Sequence, residues 1–373
     1  MTVAFPPDFS VLHIATARSW RGGEQQVAYL ASELKNKNIR QIVLCTEGSP
    51  MEIFCREKGI AFFTAIKRSA VDVSYAWKIK QICRSNKISL IHAHDSHAHT
   101  FAVFAAILGN KCNIVVSRRV DFKVSAGPFS SYKYNHESVK RIICVSDKIK
   151  ELTVPAVNDS EKLVTIHSGI DFSRFKNTDS RNILHQQYSI PQHSKIIGNV
   201  AALAPHKDYT TFINTVFILK DKLPDVYFFI IGEGAERGKI ELLIKEKNLN
   251  DRIILTGFRE DIAEILPELD LFLITSETEG LGTAILDAFA CKVPVVATAT
   301  GGIPEIVIHE RTGLLAPVGD ASALAANIMR IINDNTLRQN LISEATNHLN
   351  LFTKEVTASK TLTEYLAITG AEL

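Results

Sequence analysis

Short, nearly unbroken apolar runs separated by stretches of helical periodicity make up most of this chain. In the first half the runs are residues 11–15, 41–45, 61–64, 90–93, 113–117, 141–145 and 162–167, with amphipathic stretches such as 24–37 and 71–86 between them. A strand with one wet face alternates apolar and polar residues, and these do not. The pattern therefore predicts parallel strands covered by helices on both faces. It then restarts: runs at 196–201, 227–231, 252–255, 271–275 and 293–297 are separated by helical stretches at 209–222, 236–247, 261–266 and 283–290. Strands alternating with helices at this spacing predict a doubly wound α/β domain, and two sets in series predict two of them. The polar stretch 176–194 reads as the linker, giving domains 1–182 and 183–351, with an amphipathic terminal segment within 352–373. In open sheets of this kind ligands bind outside the carboxyl ends of the strands, so the chemistry is expected in the loops that follow strands, in a cleft between two facing sheets.

Composition changes this picture little. No apolar run approaches the ~20 residues that span a bilayer, and Pro6, Pro7 and Asp8 occupy the place where a secretion signal needs basic and then apolar residues. The six cysteines, at positions 45, 55, 83, 112, 144 and 291, lack paired spacing and read as reduced thiols. The chain is expected in the cytoplasm, or peripherally at the cytoplasmic face of a membrane. Charge adds more. Residues 1–182 hold 26 Lys and Arg against 16 Asp and Glu, while the remainder holds 16 against 24. A first domain at +10 beside a second at −8 is either plain surface solvation or a face turned toward an anionic membrane or a phosphorylated acceptor.

The densest chemistry follows the run 271–275, in Ser276-Glu277-Thr278-Glu279-Gly280-Leu281-Gly282-Thr283. A glycine-rich loop opening a helix presents unpaired N–H groups and a positive dipole end, which suit a diphosphate. Glu279 and Asp287 are acceptor-only groups suited to sugar and ribose hydroxyls; acids placed merely to complement the helix dipole are the plainer alternative. Trp20-Arg21-Gly22-Gly23-Glu24 is a second anion-ready helix start, where paired glycines allow close backbone approach. Arg118 and Arg119 follow a strand and make either a structural ion pair or a site for acceptor phosphate or carboxylate. His92, His94, His97 and His99 invite a metal reading, but Asp95 falls one position early for the H-x-H-x-D-H form and no second ligand cluster is evident. No metal and no cofactor are expected.

Glu279-x7-Asp287, Ala288 to Ala297 (AFACKVPVVA) and Gly301-Gly302-Ile303-Pro304-Glu305 together resemble glycosyltransferase family 4, in its E-x7-E motif, its EAMACGxPVVA stretch and its GGxPE loop. His167-Ser168-Gly169-Ile170-Asp171 with Arg174-Phe175 resembles the family's NGVDxxRF loop, and the likeness runs from Gly22-Gly23 to the last helix. It implies the GT-B fold: two Rossmann-like domains, the first binding an acceptor and the second a nucleotide sugar, with the terminal helix crossing back to the first. It also implies a retaining glycosyltransferase that moves a sugar from a nucleotide diphosphate co-substrate, here to a lipid-linked glycolipid, lipopolysaccharide or polysaccharide intermediate.

Carried over residue by residue, the likeness gives Glu279 the donor sugar, Asp287 the ribose and Lys207 the diphosphate, beside the backbone of Gly280, Leu281, Gly282 and Thr283. The loop at Gly22 and Gly23 lies against the reacting phosphate. His94 lines the reaction centre, with His99 as the second choice. Arg118 and Arg119, with His99, are the acceptor candidates. Two departures stand out: Asp287 is one methylene shorter than the family Glu, and Ala202 stands where the family carries an Arg. No Asp-x-Asp is present, so protein groups would neutralise the leaving diphosphate. A nucleotide-sugar epimerase on the same fold and a catalytically silent sugar-nucleotide-binding subunit are the alternatives. No G-x-G-x-x-G supports a dinucleotide oxidoreductase, and nothing suggests nucleic acid as a partner.

Overall fold

The computed structural model describes residues 9–124, 127–175 and 182–370. Among these residues thirteen strands form two all-parallel sheets. The first contains β1 (Ser10–Ala15), β2 (Arg40–Thr46), β3 (Phe62–Ala65), β4 (Leu90–Ala93), β5 (Asn113–Arg118), β6 (Val139–Cys144) and β7 (Leu163–Thr165), in the order 3-2-1-4-5-6-7. The second contains β8 (Lys195–Val200), β9 (Val226–Ile231), β10 (Ile253–Gly257), β11 (Leu271–Ile274), β12 (Val295–Thr298) and β13 (Leu314–Ala316), in the order 10-9-8-11-12-13. Every residue of β1, β4, β11 and β12 is buried. That two-faced burial is why these strands read as continuous apolar runs. In both sheets the order reverses beside the first strand, and at such a switch point the loops leaving neighbouring strands diverge and open a crevice.

Two compact units result. One comprises the described residues up to Gly169 together with those from Thr353 onward; the other is Ile170–Phe352. The division thus lies upstream of the polar stretch read as a linker. Residues 176–181 of that stretch fall outside the described residues, and the rest belongs to the second unit. There Glu268 accepts from the backbone N–H of Ile183 at 2.6 Å and of Leu184 at 2.9 Å, fixing the start of a short helix. Polarity marks solvent exposure, and here it does not coincide with the change of unit.

The terminal helix, Lys354–Thr369, belongs to the first unit and buries Ala358, Thr361, Leu362, Tyr365 and Leu366. Its face packs with Phe9, Val11, Leu34, Leu90 and Val115 in one hydrophobic cluster. Gln26 clamps the segment leading out of this unit, donating to the Gly169 carbonyl at 2.7 Å and accepting from the Gly169 N–H at 3.1 Å. A Cβ on Gly169 would lie 2.4 Å from the Thr353 carbonyl oxygen. Overpacking of this kind costs about 1–3 kcal/mol. Gly169→Ala is therefore expected to lower unfolding free energy by that amount in urea titrations. Gly238→Ala, in the Arg237–Glu246 helix with nothing within 4 Å of its Cβ, is expected to raise it by about 0.5–1 kcal/mol. Equal effects of the two changes would contradict the close approach.

Candidate functional site

In the second unit the loops after β8, β11 and β12 are stapled together through their backbones. Lys207 ends a short 3-10 turn, Pro205–Lys207. Thr275 donates its hydroxyl to the carbonyls of Lys207 and Asp208, both at 3.0 Å, and the Glu277 N–H donates to the His206 carbonyl at 2.9 Å. From the other side Thr298 donates to the Ser276 carbonyl at 2.7 Å, Thr300 to that of Glu277 at 2.6 Å, and the Gly302 N–H to that of Glu279 at 3.0 Å. Gly301 (φ 54°) passes so close that a Cβ there would lie 1.8 Å from the Glu279 carbonyl oxygen. Gly301 of the GGxPE loop is thus required by backbone contact with the Glu279 loop.

Held this way, Glu279 forms an ion pair with Lys207, both side chains only about one-sixth exposed (16% and 15%), and accepts from the Ser276 hydroxyl at 3.2 Å. The helix Thr283–Ala290 starts at Gly282 (φ 85°), where no side chain caps it, so the first-turn N–H groups lack a side-chain acceptor. Leu281 is 3% exposed and serves the core; only its backbone borders the loop. Asp287 lies in the second turn of that helix. Its Oδ1 is buried without a partner, and burial pushes the carboxyl up to about 7 while Arg174 pulls it down.

Ala202 is exposed and offers no charge. The loop around it is backed instead by two glycines after β9, Gly232 and Gly234. A Cβ on Gly232 would lie 1.9 Å from the Ala201 oxygen, and one on Gly234 would lie 2.4 Å from that of Leu203. Phe258, directly after β10, is 73% exposed, a large ring at the carboxyl end of the sheet that sequence pattern alone did not single out.

In the first unit, Gly22 and Gly23 open the Gly22–Asn36 helix and Glu24 accepts from the Arg21 N–H at 3.0 Å. A Cβ on Gly23 would just touch Arg119, at 4.0 Å from its Cδ. Arg119 donates to the His94 carbonyl at 2.8 Å and faces His94 Nδ1 at 3.4 Å, while its Nε is buried without a partner. Burial pulls this guanidinium down to about 10, against the attraction of Glu24 and Asp95.

His94 is 6% exposed and continues into a chain of hydrogen bonds. Arginine only donates, so His94 Nδ1 accepts and its proton resides on Nε2. That nitrogen lies 2.9 Å from Nδ1 of His13, which must then accept, leaving the His13 proton on Nε2. His13 Nε2 and Gln41 Oε1 are both buried without a hydrogen-bond partner, and the Gln41 amide is oriented by its donation to the Ala31 carbonyl at 2.6 Å. His92 packs on His94 with ring centroids 3.9 Å apart. Its Nδ1 pairs with the Tyr365 hydroxyl and its Nε2 with the Ser117 hydroxyl at 2.8 Å. Burial lowers all three imidazoles, His13 to about 3 and His92 and His94 well below the ordinary range, so all are neutral. His13 escaped the sequence reading because a lone histidine in Val-Leu-His-Ile looks like strand filling.

These three histidines are the one group among the described residues whose ligand atoms all come within 4.8 Å. They do not fit a metal. The 2.9 Å between His13 and His94 is a hydrogen bond, whereas two nitrogens on one tetrahedral zinc lie ~3.3 Å apart. Both nitrogens of His92 are also engaged. Asp95 is likewise committed, accepting from the Thr16 N–H and hydroxyl at 2.7 and 2.8 Å and from the His97 and Ala98 N–H groups at 3.0 and 2.9 Å.

The remaining candidates are placed elsewhere. Arg118 is buried and donates to Thr153 and Tyr134, both at 3.0 Å, and to the Phe122 carbonyl. His99 is 1% exposed, pairs with the Lys133 carbonyl at 3.1 Å and meets the Tyr134 ring edge-on. Both side chains hold the Pro128–Asn135 helix and do not join Arg119 and His94.

Two family models match this chain: Glycosyltransferase Family 4 over residues 20–174 and Glycosyl transferases group 1 over residues 180–348. An uncharacterized glycosyltransferase of Methanocaldococcus jannaschii is 30% identical over 275 residues, covering 71% of this chain and 72% of that protein. The UDP-Gal:alpha-D-GlcNAc-diphosphoundecaprenol alpha-1,3-galactosyltransferase of Escherichia coli is 25% identical over 334 residues, 84% and 86% of the two chains. Among solved structures, a glycosyltransferase from Rickettsia africae superposes with a TM-score of 0.86 at 20% identity, covering 98% of this chain and 100% of that one. Anabaena HepE in complex with UDP-glucose superposes with a TM-score of 0.83 at 21% identity, covering 96% and 99%. The fold is GT-B, with two Rossmann-like domains.

The buried histidines set a pH dependence. Below an ordinary value near 6.5 the unfolded chain takes up protons that His13, His92, His94 and His99 refuse in the folded state. Stability of the first unit should therefore fall as pH drops below 6.5, by about 1.4 kcal/mol per pH unit for each such group. Asp287 acts oppositely in the second unit, since its folded carboxyl holds a proton up to about 7 and favours the folded state as pH falls. Denaturant titrations from pH 7.5 to 5 on the native chain and on His13→Gln check the sign. The variant should show a shallower slope.

Proposed function

The chain belongs to glycosyltransferase family 4, and we propose that it transfers a sugar, with retention and without a metal ion, from a nucleoside diphosphate to a lipid-linked or otherwise anionic acceptor. The observation that carries this reading is the Lys207–Glu279 ion pair beside the side-chain-uncapped start of the Thr283–Ala290 helix. An incoming diphosphate supplies a stronger anion for Lys207 and for the helix-start amides. Glu279 is then released to accept hydrogen bonds from the sugar hydroxyls. Asp287, whose Oδ1 lacks a partner, takes a ribose hydroxyl, and the exposed ring of Phe258 gives the base a surface to stack on.

In the transfer, the bond from the anomeric carbon to the phosphate oxygen breaks as the acceptor oxygen attacks the same face. The acceptor proton passes to the departing phosphate oxygen. Lys207 and the helix amides stabilise the charge that develops there. Neutral His94, locked in one tautomer with its ring and carbonyl both facing Arg119, orients that guanidinium toward the acceptor without adding charge. Arg119 and Arg21, beside Gly22 and Gly23, offer the acceptor's anionic group a partner. The Escherichia coli relative's diphosphoundecaprenol acceptor and the UDP-glucose bound to HepE favour a UDP-sugar and a lipid-linked acceptor in cell-surface glycan synthesis. Among the described residues no helix is long and apolar enough to cross a membrane. The basic first unit would therefore meet such an acceptor at the membrane surface.

Incubation with UDP-, GDP- and ADP-sugars and an undecaprenyl-diphosphate-linked acceptor, read by NMR of the product anomer, tests the reaction. Activity should persist in EDTA and the donor's anomeric configuration should be kept; an inverted product, or epimerisation without acceptor, would sink the reading. Lys207→Ala should weaken nucleoside diphosphate binding by about 1.5–3 kcal/mol and slow transfer by on the order of 10²–10³-fold. Glu279→Gln should abolish transfer yet bind the free nucleotide at least as tightly as the native chain, because Lys207 is no longer occupied.

Co-sedimentation with vesicles tests the membrane part. Binding to anionic vesicles should weaken steeply once salt shortens electrostatic reach to ~8 Å, and neutral vesicles should bind poorly. Equal binding to both would leave the charge of the first unit as surface solvation.

A further inference from the structure

At the amino ends of β4 and β5, on the sheet edge opposite the loops described above, two cysteines border one hollow. Cys83 is in the last turn of the Val73–Ser85 helix and is 4% exposed; Cys112 precedes β5 and is half-buried. Two short relays tie them together. Asn110 donates to the Cys83 sulfur at 3.5 Å and accepts from the Cys112 N–H at 3.4 Å. Ile88 donates its N–H to the Cys83 carbonyl at 3.0 Å, and its own carbonyl accepts from the Cys112 thiol at 3.0 Å. The hollow, about 350 Å³, is also lined by Lys80, Arg84, Lys87 and Lys111 and by no acidic residue.

The pair is chemically asymmetric. Cys83 faces the negative end of its helix dipole, which disfavours a thiolate, and the neighbouring Cys112 thiol and burial push it up. The neighbouring Cys83 thiol and the Asn110 amide pull Cys112 down despite burial. Exposure, a lowered thiol and surrounding cations are the conditions under which a cysteine reacts. Cys45 and Cys55 form the contrast: both are 0% exposed and are pushed up by burial to about 11 and 12.

We propose that Cys83 and Cys112 are a reversible dithiol–disulfide pair, and that the oxidant is an anionic low-molecular-weight disulfide gathered by Lys80, Arg84, Lys87 and Lys111. The Cys112 thiolate attacks one sulfur of that reagent; the reagent's S–S bond breaks and one thiolate leaves with the electron pair. Cys83, giving its proton to solvent or to the departing thiolate, then attacks Cys112 in the mixed disulfide and expels the second reagent thiolate. Two protein thiols are oxidised and one small disulfide is reduced to two thiols. The product ties the end of a helix to the start of β5, the strand that carries Arg118 and leads to Arg119.

The test uses the full reduced chain under native conditions. It is treated with glutathione disulfide, or with uncharged bis(2-hydroxyethyl) disulfide, then alkylated and mapped by peptide mass spectrometry. A dithiothreitol-reversible link between the peptides of Cys83 and Cys112 is expected. At low salt it should form at least about tenfold faster with the anionic reagent, the lower range of electrostatic steering, with the advantage lost at high salt. Cys83→Ser should stop at a Cys112–glutathione adduct, and Cys112→Ser should leave Cys83 unmodified. A lasting adduct on native Cys112, equal rates for the two reagents, or modification of Cys45 and Cys55 as fast as Cys112 would each overturn the proposal.

Discussion

One backbone contact conditions the second unit. The carbonyl of Glu279 lies where a side chain on Gly301 would have to be, and the Gly302 N–H closes on the same oxygen. A carboxylate that must exchange one partner for another needs a fixed root and a free tip. The root is supplied by main-chain atoms and by hydroxyls from Thr275, Thr298 and Thr300, none of which can compete with a ligand for the tip. The tip rests on Lys207, a partner that a diphosphate can take away. A pair of this kind, removed from water on most sides, is costly to leave half-made, so in the free protein neither charge is left bare.

The first unit solves a similar problem without charge. Burial makes protonation of His13, His92 and His94 expensive, so the row stays neutral and only the direction of its hydrogen bonds remains to be set. Arg119 sets it from one end, because a guanidinium can only donate. At the other end His13 Nε2 is buried with no hydrogen-bond partner. The tautomers of His94 and then His13 follow from their neighbours, and the state of His94 is therefore decided partly by residues that no ligand would touch.

Much of this was legible in the order of residues, for a physical reason. Strands covered on both faces are apolar throughout, so twelve of them show as runs, and the loops and helix starts after them contain Lys207, Glu279, Asp287, Gly22 and Gly23. The exception is β13, Leu314–Ala316, too short to register as a run. Arg118 and Arg119 could not be told apart, because successive residues at a strand end point to opposite sides; the structure sends Arg118 to Tyr134 and Thr153 and Arg119 to His94. His99 fared like Arg118, since its turn of the helix faces inward. His13 and His94 are 81 positions apart, and only sheet order brings such residues together. The cysteines show the same limit, since spacing that excludes a disulfide frame says nothing about which thiols become neighbours.

The clamp on Gly169 and the return of the chain at Thr353 place one unit inside the sequence of the other. On the ribosome this inverts the usual order of completion, in which the domain nearer the N-terminus is finished first. All of Ile170–Phe352 is synthesised while the first unit still lacks the helix Lys354–Thr369. Until that helix emerges, His92 has no Tyr365, 273 residues downstream, and the apolar face formed by Leu34, Leu90 and Val115 stays uncovered. The N-terminal half of the chain therefore matures last, and a nascent chain stalled before residue 354 would carry a completed second unit beside a first unit with part of its core open to water.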